Sequence, residues 1–154
     1  MLRNAAVCGV NDKGALLLLY DVLLISLALE DVKFRKIRNL YITGIVVLAV
    51  SAVDVVPEIT LSSRIAGMFA VSVPMWCVAM IKPGSFGGGD IKLTFACGAF
   101  LGMELVFAGT VIAIFLAGGY CLWLICIKKV RENVQFALGP FLSVGYIIAA
   151  NKLL

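Results

Sequence analysis

The sequence predicts an all-α, polytopic membrane protein: one domain over residues 1–154, built as a single bundle of about six transmembrane helices. Three observations lead there. Hydrophobic residues make up 62% of the chain, charged residues only 14%, and the mean hydropathy is +1.08. Soluble domains average roughly 45–50% apolar and about 25% charged, so a chain of this size could not hide its apolar surface from water. The apolar residues fall into runs near 14–30, 39–56, 65–81, 91–103, 105–127 and 136–151. No low-complexity linker or internal repeat separates them, which points to one body rather than two.

The first run does not read as a signal peptide, because its Lys/Arg-rich flank follows it and no small-residue cleavage site comes after. The second begins after that basic flank. The third contains Pro74 and is followed by Pro83, which are expected to kink or end it. The fourth begins at Ile91, directly after the Gly87–Asp90 stretch, and the fifth and sixth follow as separate apolar runs. Several runs are shorter than the roughly 20 residues a perpendicular crossing needs, which implies tilt, shifted boundaries or a partly re-entrant segment. Lys and Arg orient the bundle. With the N- and C-termini outside, the cytoplasmic connectors hold Lys33, Arg35, Lys36, Arg38, Lys82, Lys92, Lys128, Lys129 and Arg131. The outer face then holds only Arg3, Lys13, Arg64 and Lys152, with the acidic connector Asp54–Glu58. The imbalance is the one expected for a multi-pass protein of the cell (plasma or inner) membrane in that orientation.

The chain has no histidine. That excludes Ser-His and Cys-His nucleophiles, the HExxH zinc site and any imidazole ligand set. Its five cysteines, Cys8, Cys77, Cys97, Cys121 and Cys126, mostly lie inside apolar runs and read as small hydrophobes. A net charge of +4, without a basic stretch interleaved with aromatics, gives no nucleic-acid signature. Proton chemistry near neutral pH must then come from carboxylates, lysines, tyrosines or thiols.

Among nine acidic residues, Asp31 and Asp90 stand out. Asp31 follows the first apolar run and opens Asp-Val-Lys-Phe-Arg-Lys-Ile-Arg-Asn; Asp90 closes Phe-Gly-Gly-Gly-Asp where the fourth run begins. The orientation above puts both at the same cytoplasmic boundary. Two carboxylates meeting in a partly dry cleft can share one proton, which supplies a general base and a general acid without histidine. Gly87, Gly88 and Gly89 would let a substrate backbone approach Asp90 closely. Their plainer reading is a flexible turn with Asp90 as the N-cap of the next helix. The plainer reading of Asp31 is a charge partner for Lys33, Arg35 or Lys36. Asp21 lies ten positions before Asp31, about 15 Å along a helix, too far to join the pair. Glu30 points about 100° away from Asp31, toward headgroup water. Lys92 could tune Asp90 or hold a substrate carboxylate, and serves equally as an orienting charge.

These motifs resemble the type IV prepilin peptidases, membrane aspartic proteases of the GxGD class. One family motif is D-x5-I-P-N, matched by Asp31, Ile37 and Asn39; another is GxGD followed by x-K-L, matched by Gly87-Gly88-Gly89-Asp90-Ile91-Lys92-Leu93. Phe136-Ala137-Leu138-Gly139-Pro140-Phe141-Leu142 is similar to the late F-G-P-F-L element with one residue altered. The resemblance implies Asp31 and Asp90 as catalytic residues, with Gly87, Gly88, Gly89 and Lys92 positioning the substrate. It also implies an aspartic endopeptidase that removes the leader of type IV prepilin or pseudopilin precursors at the cytoplasmic face, with no metal or organic cofactor.

Arg38 stands where the family has proline, so the second helix is expected to lose a fixed φ at its start. Longer members carry a cytoplasmic insertion with paired Cys-x-x-Cys motifs and an N-methyltransferase activity; without it, the chain is similar to the short, peptidase-only branch. The competing reading is a non-enzymatic transporter or assembly subunit that uses Asp21, Asp31 and Asp90 for ion or proton handling. Such a protein has no evident use for the glycine-aspartate run.

Overall fold

The computed structural model describes residues 2–34, 37–128 and 137–153, with side chains described from residue 12 in the first helix and up to residue 126 in the fifth. The described residues form α-helices with no strand: α1 (Leu2–Phe34), α2 (Asn39–Val55), α3 (Leu61–Ala70), α4 (Ser72–Ile81), α5 (Gly88–Lys128) and α6 (Gly139–Ala150), closed by a short 3₁₀ turn, Asn151–Leu153. The orienting residues Arg35, Lys36, Lys129 and Arg131 and the motif residue Phe136 lie outside the described residues, as do the side chains of Arg3, Cys8 and Lys128.

Most differences from the expected runs have local causes. The first helix continues beyond residue 30 to Phe34, with Lys33 in its last turn, where a cation complements the carbonyl end of the helix. Asp31 therefore lies within the helix, one turn before its end. The third run starts earlier, at Leu61, where the Thr60 hydroxyl accepts the Ser63 N–H. It breaks at Val71, because Pro74 can neither donate to the Ala70 carbonyl nor fit its ring against it. Pro83 lies just past the end of α4, as expected.

α5 contains the decisive bend. Gly102 takes φ 75° and ψ 178°, a backbone state that glycine reaches without the strain a side chain would impose. Thr94, eight residues before the bend, and Thr110, eight after it, each lie 3.1 Å from the same Tyr146 hydroxyl. A straight helix would separate those positions by about 24 Å. The arms 88–101 and 103–128 thus double back on each other and match the separate runs 91–103 and 105–127. α3, α2 and α6 pack on this hairpin, and α1 covers α2 and α6.

The bend breaks helical hydrogen bonds, and two neighbours on α3 replace them. Met103 N–H, which would donate to Ala99 in an unbroken helix, donates to Ser63 Oγ at 3.1 Å. The Ala99 and Phe100 carbonyls accept from Arg64 Nη1 at 3.2 and 2.9 Å. Arg64 Nη2 donates to the Ala52 and Val56 carbonyls at the end of α2, at 2.8 and 3.1 Å. Arg64 is only 2% exposed. It is not the loop charge that the orientation count assumed; it lies on α3 and joins two helix C-terminal ends in the core. Two glycine crossings tighten the rest. Gly67 faces Gly98 across α3 and α5, and Gly109 faces Gly145 across α5 and α6, each with a carbonyl where a side chain would stand.

Outward faces are strongly apolar. Leu18, Val22, Ile25 and Leu29 form an exposed stripe on α1, as do Phe107, Val111, Ile114 and Leu122 on α5. Leu61–Ile81 and Gly88–Cys126 are long and apolar enough to cross a membrane. Cys97 is buried, whereas Cys77 and Cys126 sit on the exposed faces rather than in the core.

At the far end of the bundle Lys13 pairs with Glu58. The Lys13 hydrogen bond holds the Glu58 carboxyl below its ordinary pKa. A depressed carboxylate contributes stability above its unfolded pKa, and loses it as pH falls through the folded value. Glu58→Gln is therefore expected to lower the thermal midpoint in detergent slightly at neutral pH, the difference vanishing in acid and shrinking in high salt. Arg64→Leu leaves the enclosed Ala99 and Phe100 carbonyls without their donor, and takes one of two donors from Ala52 and Val56, and should cost on the order of 3 kcal/mol. Arg64→Lys should recover little of this, since one ammonium cannot span both pairs. Thermal unfolding of the purified variants measures both effects.

Candidate active site

Asp31 and Asp90 come together at the end of the bundle opposite Glu58. Both line a cleft of about 760 Å³ with Ile37, Arg38, Asn39, Leu40, Gly87, Gly88, Gly89 and Lys92, and their carboxylates are close enough to feel each other's charge. Asp31 is 5% exposed and Asp90 9%.

Each carboxylate meets the N-terminal turn of a helix. Asp90 is the third residue of α5, not its N-cap; Gly87 occupies the cap position. The Gly87 carbonyl accepts from Asp90 N–H at 3.0 Å and from Ile91 N–H at 3.3 Å, while Gly87 N–H donates back to the Asp90 carboxylate. The carboxylate reaching back to the cap N–H is one half of a capping box; glycine has no side chain to supply the other half. Asp31 reaches across to α6, where it accepts from Gly139 N–H. Backbone donors at two helix N-termini offset part of the cost of enclosing these carboxylates.

The three glycines differ in what surrounds them. A side chain on Gly89 would strike Ile37 Cβ at 2.9 Å, so this glycine lets the α1–α2 connection lie against α5. A side chain on Gly87 would stand 3.0 Å from Asp90 Oδ2. Gly88 has open space on its side-chain face and leaves the cleft floor uncovered. Lys92 is exposed on the cleft wall.

Arg38 takes the backbone that proline would impose, with φ −77° and ψ 135°, although no ring locks it there. Its guanidinium lies 3.5 Å from Glu30, tying α1 to the start of α2. Glu30 is thus partly buried and paired, rather than directed to headgroup water. Asp21 stays apart from the cleft, with one carboxylate oxygen enclosed and without a hydrogen-bond partner. Sequence reasoning missed two roles. Gly139 before Pro140 signals a helix start, but nothing local says which side chain that start will meet. Arg64 gave no signal beyond its charge.

The unequal glycines give a direct test. Gly89→Ala should reduce folded yield, because Ile37 must move, whereas Gly88→Ala should accumulate like the parent chain. Size-exclusion recovery in detergent measures both.

Sequence comparison places this cleft among known proteins. A profile of the Type IV leader peptidase family matches residues 18–122, which include Asp31 and the whole Gly87–Asp90 run. The prepilin leader peptidase/N-methyltransferase of Vibrio cholerae serotype O1 is 30% identical over 142 residues, covering 89% of this chain and 55% of that protein. The chain therefore spans about half the length of this curated relative. No solved structure matches. The profile covers most of the chain and runs through both aspartates of the cleft; the chain belongs to the type IV leader peptidase family.

Proposed function

We propose that the protein is an aspartic endopeptidase that cleaves the leader from type IV prepilin or pseudopilin precursors at the cytoplasmic face of the membrane. The observation that carries this reading is the pairing of Asp31 with Asp90, two nearly buried carboxylates from different helices, in a cleft with a bare glycine floor. In the proposed reaction the ionised member takes a proton from water as its oxygen attacks the scissile carbonyl. The protonated member donates to the carbonyl oxygen. When the tetrahedral intermediate collapses, the carboxyl that gained the water proton delivers it to the leaving amine. The other takes back a proton from the gem-diol hydroxyl as the carbonyl reforms, restoring the shared-proton state. The pair titrates as a unit, so neither role belongs to one residue alone.

The extended substrate backbone lies over Gly88, with Lys92 able to hold a substrate carboxylate. The fold is a six-crossing bundle in which the α5 arms cross separately, with both termini outside. The hairpin at Gly102 and the distribution of basic residues support this arrangement.

Asp31→Asn and Asp90→Asn should each abolish cleavage of a co-expressed precursor, read as loss of its mobility shift, with insertion and abundance unchanged. The double variant should be no worse than either single one. Asp21→Asn should retain most activity. The rate should rise and fall with pH through two apparent pKa values of the pair. Full cleavage by either single aspartate variant would return the chain to the transporter or assembly-subunit reading. A topology reporter fused near Pro57 should read external and one fused after Arg131 cytoplasmic; the opposite result would put the cleft on the wrong side of the membrane.

A further inference from the structure

The first turn of α6 takes no part in the proposed reaction, yet it bears directly on Asp31. Gly139 opens this helix, and its N–H donates to the Asp31 carboxylate. A methyl group added to Gly139 would have three Asp31 atoms as its nearest neighbours: Oδ2 in collision, Cγ at 3.0 Å and Cβ at 3.4 Å. The turn is closed by Leu142 N–H donating to the Leu138 carbonyl at 3.1 Å. Further along α6, the Gly145 crossing and the Tyr146 hydroxyl lock the helix to both arms of α5. The first of those arms carries Asp90. The start of α6 thus forms a bracket between the Asp31 side chain and the helix that presents the second carboxylate.

We infer that Gly139 is a positioning residue for Asp31: its N–H and its lack of a side chain together set where the carboxylate points within the cleft. The consequence for cleavage rests on the proposed dyad; the contact itself does not. Helix propensity opposes the choice of residue. Alanine is the better helix former, so without Asp31 in the way Gly139→Ala would stabilise α6 rather than weaken it.

That opposition gives a test with two readouts on the purified full-length chain. Gly139→Ala should lower the thermal midpoint, and should be neutral or stabilising when combined with Asp31→Ala, which removes the colliding carboxyl. If Gly139→Ala alone fails to accumulate, the same double variant should restore accumulation. In cleavage assays Gly139→Ala should lower kcat at least tenfold with KM within twofold, and should displace the pH–rate profile. An equal loss of midpoint or accumulation in both backgrounds, or a parental kcat and pH profile for Gly139→Ala, would overturn the inference. Asp31→Asn, assayed alongside, separates the two claims: if it cleaves fully, the dyad fails while the midpoint coupling still decides the contact.

Discussion

A single enclosed guanidinium holds this architecture together. Burying an unpaired cation is costly, and among the described residues Arg64 has no carboxylate as a hydrogen-bond partner; it has four carbonyls from two helix ends. Those ends carry the negative poles of α2 and of the first arm of α5, so the dipoles supply part of the countercharge. The arrangement works in both directions. Without the bend at Gly102 the Ala99 and Phe100 carbonyls would be satisfied within the helix, and Arg64 would have no place there. Without Arg64, the bend would leave bare carbonyls in a region with little water to solvate them. The hairpin that follows lets Thr94 and Thr110 share one tyrosine hydroxyl, and its returning arm leads to α6, whose first residue lies against Asp31.

The site depends on the same economy of backbone groups. Neither aspartate has a described salt-bridge partner within hydrogen-bonding range. Each is instead held by an N–H from the start of a helix, one contributed by its own chain segment through Gly87 and one by a distant segment through Gly139. Backbone donors cannot swing away as a lysine or arginine could, so the two carboxylates are held to a fixed relative geometry. Arg38 fits this pattern as well. It takes a proline-like φ and contributes a side chain that proline lacks, joining α1 to α2 through Glu30. The departure from the family motif leaves the turn intact and adds an ion pair beside the cleft.

Much of this was legible in the sequence, and the exceptions share a cause. The helical class follows from composition and run length, and the two aspartates follow from their setting at the ends of apolar runs. Pro74 and Pro83 mark their breaks because proline acts on its own backbone, within four residues. The Gly102 bend was readable only as a boundary between two runs, since the atoms that repair it, Ser63 and Arg64, lie about forty positions earlier. Arg64 itself looked like an orienting surface charge because its carbonyl partners belong to the backbone and leave no trace in residue identity. The job of Gly139 was hidden for the same reason: a missing side chain has meaning only beside the neighbour that would fill its place. Local rules reveal what a residue does to its own segment, whereas tertiary contacts between backbone and side chain must be seen.

The parts of the cleft are also made in a fixed order during synthesis. Asp31 emerges with the first helix, Asp90 follows near the middle of the chain, and Gly139 comes last. A nascent chain halted after α5 would carry both carboxylates, yet the donor that orients the earlier one would not exist. On the proposed function, hydrolytic competence would be deferred until the final helix has docked on the hairpin. A half-inserted intermediate, with its own apolar segments still exposed, would then be spared a working protease in its midst, and the delay would require no separate inhibitor.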